Sequence, residues 1–235
     1  MTTSSALDSF LDKWRTRWPE WSVAEPFVPE AQRTLVVAWF ALLQEFDDIL
    51  NTAGDPMPSD AKLAWWGEEL RSWAGQRSRH PLGRLLEPVR APWAALADAL
   101  PDLVEARAAA LEPAQALRAL QPYAAAVAAV EAVMFDAPAR GDVATPVLVQ
   151  TLAQRLQEAG VAAVPRALLG AGEGDAAQHW ARQLLARWPA RVAGPRARRM
   201  YASLARTRLQ ALAHGRELKA TPVRTLLRTW WAGRG

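Results

Sequence analysis

The chain has no cysteine, two tyrosines and a single isoleucine. Without cysteine it can hold neither a disulfide framework nor a thiolate metal site, and the redox compartment is left open. Alanine, leucine and arginine are abundant where tyrosine and isoleucine are scarce, a balance that favours helix over strand. No stretch offers about 18 uninterrupted apolar residues, so no spanning helix is expected. The opening MTTSSALDSF lacks the basic start and apolar run of a signal peptide, and the expected location is cytoplasmic. No HExxH or GxSxG motif occurs, and no GK[ST] follows the glycine-rich GAGEGD. His80, His179 and His214 lie too far apart in sequence to imply a metal site.

At 235 residues, 51% of them hydrophobic, the chain can bury a sizeable core. The expected architecture is all-α, with residues 1–235 as a single domain of helices around a central cavity. The net charge of +4 hides an asymmetry. Residues 181–235 carry 13 Lys+Arg and one acidic residue, Glu217, whereas the rest carries 15 Lys+Arg against 23 Asp+Glu. Such a segment suits an anionic partner: a diphosphate, a nucleic acid or a membrane surface. It equally suits a solvated helix face. No interleaved aromatic or recognition-helix pattern supports nucleic acid, so none is expected as a partner.

Helical periodicity runs over 5–18, with Leu7, Phe10, Leu11 and Trp14 on one face. WPEWSVAEPFVPEAQ holds three prolines and reads as an extended lead, with Trp18 and Trp21 as lids on the core. Further helices are expected over 30–52, 82–90, 92–99, 113–135, 144–159, 175–188, 195–214 and 221–232. Pro92 and Pro101 suit first-turn positions, and Pro122 should divide the alanine-rich 113–135. GAGEGD reads as a linker.

One stretch, 40–86, carries the chemistry. In FALLQEFDDILN, residues Asp47, Asp48 and Asn51 share one helix face, and clustered oxygens of this kind can share a divalent cation. GDPMPSD then breaks the helix. Ser59 is the expected N-cap of the next one, on which Trp66 and Trp73 share the buried face and Trp65 does not. The stretch closes on WGEEL and HPL.

In this order and spacing the stretch resembles the squalene/phytoene synthase family, the head-to-head prenyltransferases. The family's first motif is of the DDxxD type; here Asn51 stands where its last aspartate would be, and Gln44 and Glu45 replace basic residues ahead of it. The resemblance implies an isoprenoid-synthase-type bundle and, in an active member, Mg²⁺ held between two carboxylate clusters on facing helices. It places the second cluster in TLAQRLQEAGVAAVPRALL. There Leu156, Gln157, Ala159 and Gly160 fill the acidic positions, and Glu158 is the one acid left. Arg155 and Arg166, around the family's basic, proline-ended loop, are the implied diphosphate-binding residues.

The family contains divergent members that act as assembly factors. The resemblance with the missing second motif therefore implies a non-catalytic isoprenoid- or lipid-binding or assembly protein, with Asp47, Asp48 and Asn51 as a vestigial metal site. Its expected partners are an isoprenoid or lipid ligand, another protein or an anionic membrane surface, the last making it peripheral to the membrane. Two other readings of the aspartates stay open. They are ligands of a working Mg²⁺-dependent prenyltransferase that condenses farnesyl or geranylgeranyl diphosphate, or they are plain surface charge.

Overall fold

The computed structural model describes residues 6–137, 141–171, 173–217 and 221–234. They form helices and turns, with no strand among them. Helix α1 (Ala6–Arg17) buries Leu11 and Trp14; Asp8 in its first turn and Arg17 in its last oppose the helix dipole favourably. The proline-rich lead that follows is wound, not extended. It forms α2 (Trp21–Ala24) and a 3₁₀ turn (Glu25–Phe27). Pro26 falls in the first turn of the latter, where the missing N–H has no partner to lose. Trp18 and Trp21 are both buried, as their apolar bulk requires.

The central helix is α3 (Glu30–Leu50). Every residue from Val36 to Asp47 is buried, so it is surrounded by protein on all sides. Around it pack α1, α4 (Met57–Ala74) and the single turn α5 (Gly83–Leu86). Ser59 is not the N-cap of α4. The helix begins two residues earlier, with the Asp55 carboxylate accepting the Met57 N–H at 3.0 Å and Pro58 in the first turn. The Ser59 hydroxyl instead pairs with that of Thr52 at 2.6 Å. Similarly, the helix expected over 82–90 is confined to α5: Glu87 still has helical backbone and donates to the Gly83 carbonyl, but Pro88 has no N–H with which to continue the ladder.

Two short helices follow: α6 (Trp93–Ala99) packs on α4, and α7 (Pro101–Glu105) packs on α3. Pro101 takes a first-turn position, whereas Pro92 caps α6 from outside it. Pro122 divides the alanine-rich segment into α8 (Pro113–Ala119) and α9 (Gln121–Met134). Then α10 (Ala144–Ala159) starts on Asp142, whose carboxylate accepts the Thr145 N–H at 2.9 Å, and ends at Gly160, whose φ is +54°. The expected GAGEGD linker is largely wound up, between a 3₁₀ turn (Arg166–Ala171) and α11 (Glu173–Arg187). The chain finishes with α12 (Arg196–Ala213), which packs on α10 and α11, and α13 (Pro222–Arg234), which packs on α12. None of the described helices is long and apolar enough to cross a membrane.

Tryptophan fills the core in two clusters. Trp14, Trp18 and Trp21 surround Phe40 and Tyr201 with ring centroids 4.3–6.5 Å apart. On the other side of α3, Trp66 and Trp73 are each 1% exposed and join Trp39, Phe46 and Trp93, whereas Trp65 is 38% exposed.

Candidate functional site

The three motif residues of α3 point into different surroundings. Asp47 is buried, and its carboxylate makes no hydrogen bond or ion pair among the described residues. Burial, and then the neighbouring charge of Asp48, push its carboxyl well above the usual aspartate range, against weaker opposing pulls from Arg198 and Arg17. Asp48, one step round the helix, is half-buried and accepts hydrogen bonds from Lys13 Nζ at 2.9 Å and Gln44 Nε2 at 3.0 Å. Asn51 is the C-cap residue of α3, and its side-chain oxygen accepts from Arg155 at 3.3 Å.

Side-chain cations of the same chain cover the acidic face. Lys13 bridges Asp48 and Glu45, at 2.9 Å to each. Lys62 of α4 takes the other Glu45 oxygen at 2.6 Å. Arg17 joins Glu158 of α10 at 2.5 Å and stands 3.9 Å from Asp48. Burial alone would raise the Glu45 pKa, but hydrogen bonds from Lys62 and Lys13 outweigh it and hold the carboxyl below its usual value. Gln44 and Glu45, which stand where basic residues were expected, thus take part in this cover as partners of Asp48 and of the two lysines.

Arg155 and Arg166 are not brought together in one exposed pocket. Arg155 is buried and donates to the Leu50 carbonyl at 3.1 Å and to the Arg107 carbonyl. Arg107 in turn donates to the Ile49 carbonyl at 3.3 Å. Two guanidinium groups therefore satisfy the last carbonyls of α3, where a helix dipole favours positive charge. Arg166 is exposed, held through its backbone N–H to the Ala110 carbonyl at 2.9 Å.

Between α3, α9, α10 and α12 the centre of the bundle narrows to a cavity of about 10 Å³ lined by Asp47, Tyr123, Gln150, Gln154, Arg198 and Tyr201. That is room for about one water, against the roughly 300–1,000 Å³ of a small-molecule site. A wider groove of about 770 Å³ lies along Val28, Gln32, Arg191 and Pro195 and touches none of the motif residues. The central space is occupied by a polar network. Arg198 pairs with Glu131, both almost fully buried, and donates to Gln150 at 3.0 Å. Glu131 also accepts the Trp39 indole N–H at 2.8 Å, and Gln154 donates to the Tyr201 hydroxyl at 2.8 Å. Four helices are tied together through one ion pair.

The WGEEL and HPL segments form a second constellation, built on Glu69. This carboxylate is fully buried and accepts the backbone N–H groups of Arg79 at 2.7 Å and His80 at 2.8 Å, the Trp73 indole at 2.9 Å and Arg79 Nε at 3.0 Å. It fixes the loop after α4. Gly83 then lets the chain pass so close that a Cβ there would meet Ser78 Cβ at 2.3 Å and Trp73 Nε1 at 2.9 Å. The sequence signal for this role was present in the E of WGEEL, an acid one turn before a buried tryptophan.

The residues present do not fit a Mg²⁺ ion. Among the described residues no three His, Asp or Glu side chains converge on a common point. Asp48, Glu45 and Glu158 are each paired with a lysine or arginine, and Asp47 is displaced from them into the buried centre.

The squalene/phytoene synthase family model matches residues 19–135, from the turn before α2 to the end of α9. No curated protein and no solved structure matches the chain. The matched span contains the first motif on α3, the WGEEL helix and the HPL turn, and it stops short of α10. On this match and this all-helical architecture, the chain belongs to the squalene/phytoene synthase family.

Proposed function

We propose that this family member no longer ionises an allylic diphosphate and serves as a binding or assembly protein. The observation that carries the reading is the pairing of the carboxylates at both motif remnants with side-chain cations. Lys13 and Lys62 neutralise the α3 acids, and Arg17 reaches Glu158 on α10. Ionising a diphosphate requires cations that face the leaving group and stabilise its growing charge. Here the cations face the protein's own carboxylates, and Arg155 is engaged with the C-terminus of α3. The 10 Å³ centre supports the same reading, since a prenyl chain has no room between these helices.

The test is incubation of the full chain with labelled farnesyl or geranylgeranyl diphosphate and Mg²⁺, followed by extraction of apolar products. No head-to-head product is expected. Robust turnover that disappears in Asp47→Ala would establish the rival activity, a Mg²⁺-dependent prenyltransferase.

A further inference from the structure

Helix α13 is mounted with its large apolar side chains outward. Its buried residues are Thr229 and Gly233, while Val223, Leu226, Leu227 and Trp231 are 70%, 43%, 51% and 68% exposed. At about 100° per residue these four fall within an arc of about 140°. Globular helices ordinarily turn such a stripe to the core. Gly233 accounts for the mounting: a Cβ there would meet Arg196 Nε at 3.0 Å and Met200 Sδ at 3.5 Å, so α13 rests on α12 through its smallest side. Arg199 locks that seat by donating to the carbonyls of Ala232 at 2.9 Å and Gly233 at 3.0 Å.

The charges beside the stripe are of one sign. Arg224 and Arg228 lie along one edge and Arg234 at the end, where it stacks on Trp230 at 3.7 Å. Residues 222–234 contain no acid. We infer that α13 is a membrane-surface helix that seats Val223, Leu226, Leu227 and Trp231 at the headgroup boundary of an anionic bilayer. Charge complementarity selects this occupant. Anionic lipid neutralises all three arginines, whereas a second copy of α13 packed on the same face would set arginine against arginine. Lipid also accepts long arginine stems lying beside the apolar stripe with their heads at the phosphates. This inference is independent of whether catalysis survives in the bundle.

The experiment is flotation of the full chain with vesicles of phosphatidylcholine alone or phosphatidylcholine with phosphatidylserine. The chain should float with the anionic vesicles only, and the bound fraction should fall as salt rises from about 50 to about 500 mM. Leu227→Glu with Trp231→Glu, both at exposed positions, should leave the thermal melt unchanged and reduce binding at least about tenfold. Arg224→Gln with Arg228→Gln should weaken it and flatten the salt dependence. Equal recovery in the unbound fraction with both vesicle types overturns the inference. So does a wild-type dimer by light scattering that the glutamate variant makes monomeric, since the stripe would then be covered by a second copy.

Discussion

The Arg17 guanidinium of α1 stands 2.5 Å from the Glu158 carboxylate of α10 and 3.9 Å from Asp48 of α3. A side-chain cation thus spans the two helices that carry the motif remnants. Beside it Lys13 spans Asp48 and Glu45. These pairs are partly exposed, so each contributes little to stability; together they set side-chain cations against Glu45, Asp48 and Glu158.

Breaking the central ion pair should be costly. Arg198 and Glu131 are 2% and 1% exposed, and removing one partner leaves a buried charge without compensation. Arg198→Met should lose about 3–5 kcal/mol in urea melts. The double change Arg198→Met with Glu131→Leu should recover much of that loss, which is the signature of a buried pair. Two single-variant losses that simply add would mean that the residues act separately.

Asp47 gives a pH dependence of definite sign. Its carboxyl is raised well above the usual range, so over the interval above the ordinary value the folded state keeps a proton that the unfolded chain has released. Stability therefore falls as pH rises through that interval. Asp47→Asn removes the penalty. The variant should melt above wild type at neutral pH and above, with the difference vanishing toward about pH 4. A variant less stable than wild type at pH 7 would show Asp47 to be ionised and well solvated.

Glu69 behaves in the opposite sense. Burial alone would raise its pKa, but hydrogen bonds from the His80 N–H, Trp73 and Arg79 outweigh burial and hold it below the ordinary value of 4.5. Its contribution is present above that value and is lost as pH falls through the lower, folded-state one. Glu69→Ala strands two backbone donors and an indole, and should cost roughly 3 kcal/mol or more in thermal or urea melts at pH 7. A loss below about 1 kcal/mol would show that water replaces the carboxylate easily.

The two neighbouring tryptophans of α4 should separate cleanly. Trp66→Ala should lose about 3–5 kcal/mol and Trp65→Ala less than about 1 kcal/mol, since only the former empties a core site. The reverse order in thermal melts would require a different helix register.

That register was legible in the sequence, because it depends on periodicity alone: 66 and 73 are two turns apart. The division of 113–135 at Pro122 and the extents of α3 and α10 were legible for the same reason, that each is set by local backbone chemistry. The start of α4 departs from Ser59 because Pro56 and Pro58 suit the N-cap and the first turn, where a missing N–H has no partner to lose, so the helix begins at Met57 without a side-chain cap. The wound lead around Pro26 was misread because prolines exclude a long helix and yet permit a first turn. What was not legible depends on tertiary placement. Glu131 is the one acid in QPYAAAVAAVEAVM, and a lone carboxylate on an apolar helix does signal a buried partner. Nothing local says that the partner is Arg198, 67 positions on. Likewise Arg155 could be read as a free diphosphate ligand until the end of α3 was seen to lie against it, and Lys13 and Arg17 sit on a helix with no motif at all.

Calorimetric titration with Mg²⁺ decides whether those side-chain cations have taken the metal's place. The wild-type chain should show no saturable binding through the millimolar range of weak oxygen sites. The Lys13→Met, Arg17→Met double variant, with Glu45, Asp48 and Glu158 relieved of two cations, should gain Mg²⁺ affinity and melt higher when Mg²⁺ is added. Saturable Mg²⁺ binding by the wild type that is abolished in Asp47→Ala, or a double variant indifferent to Mg²⁺, would contradict the replacement.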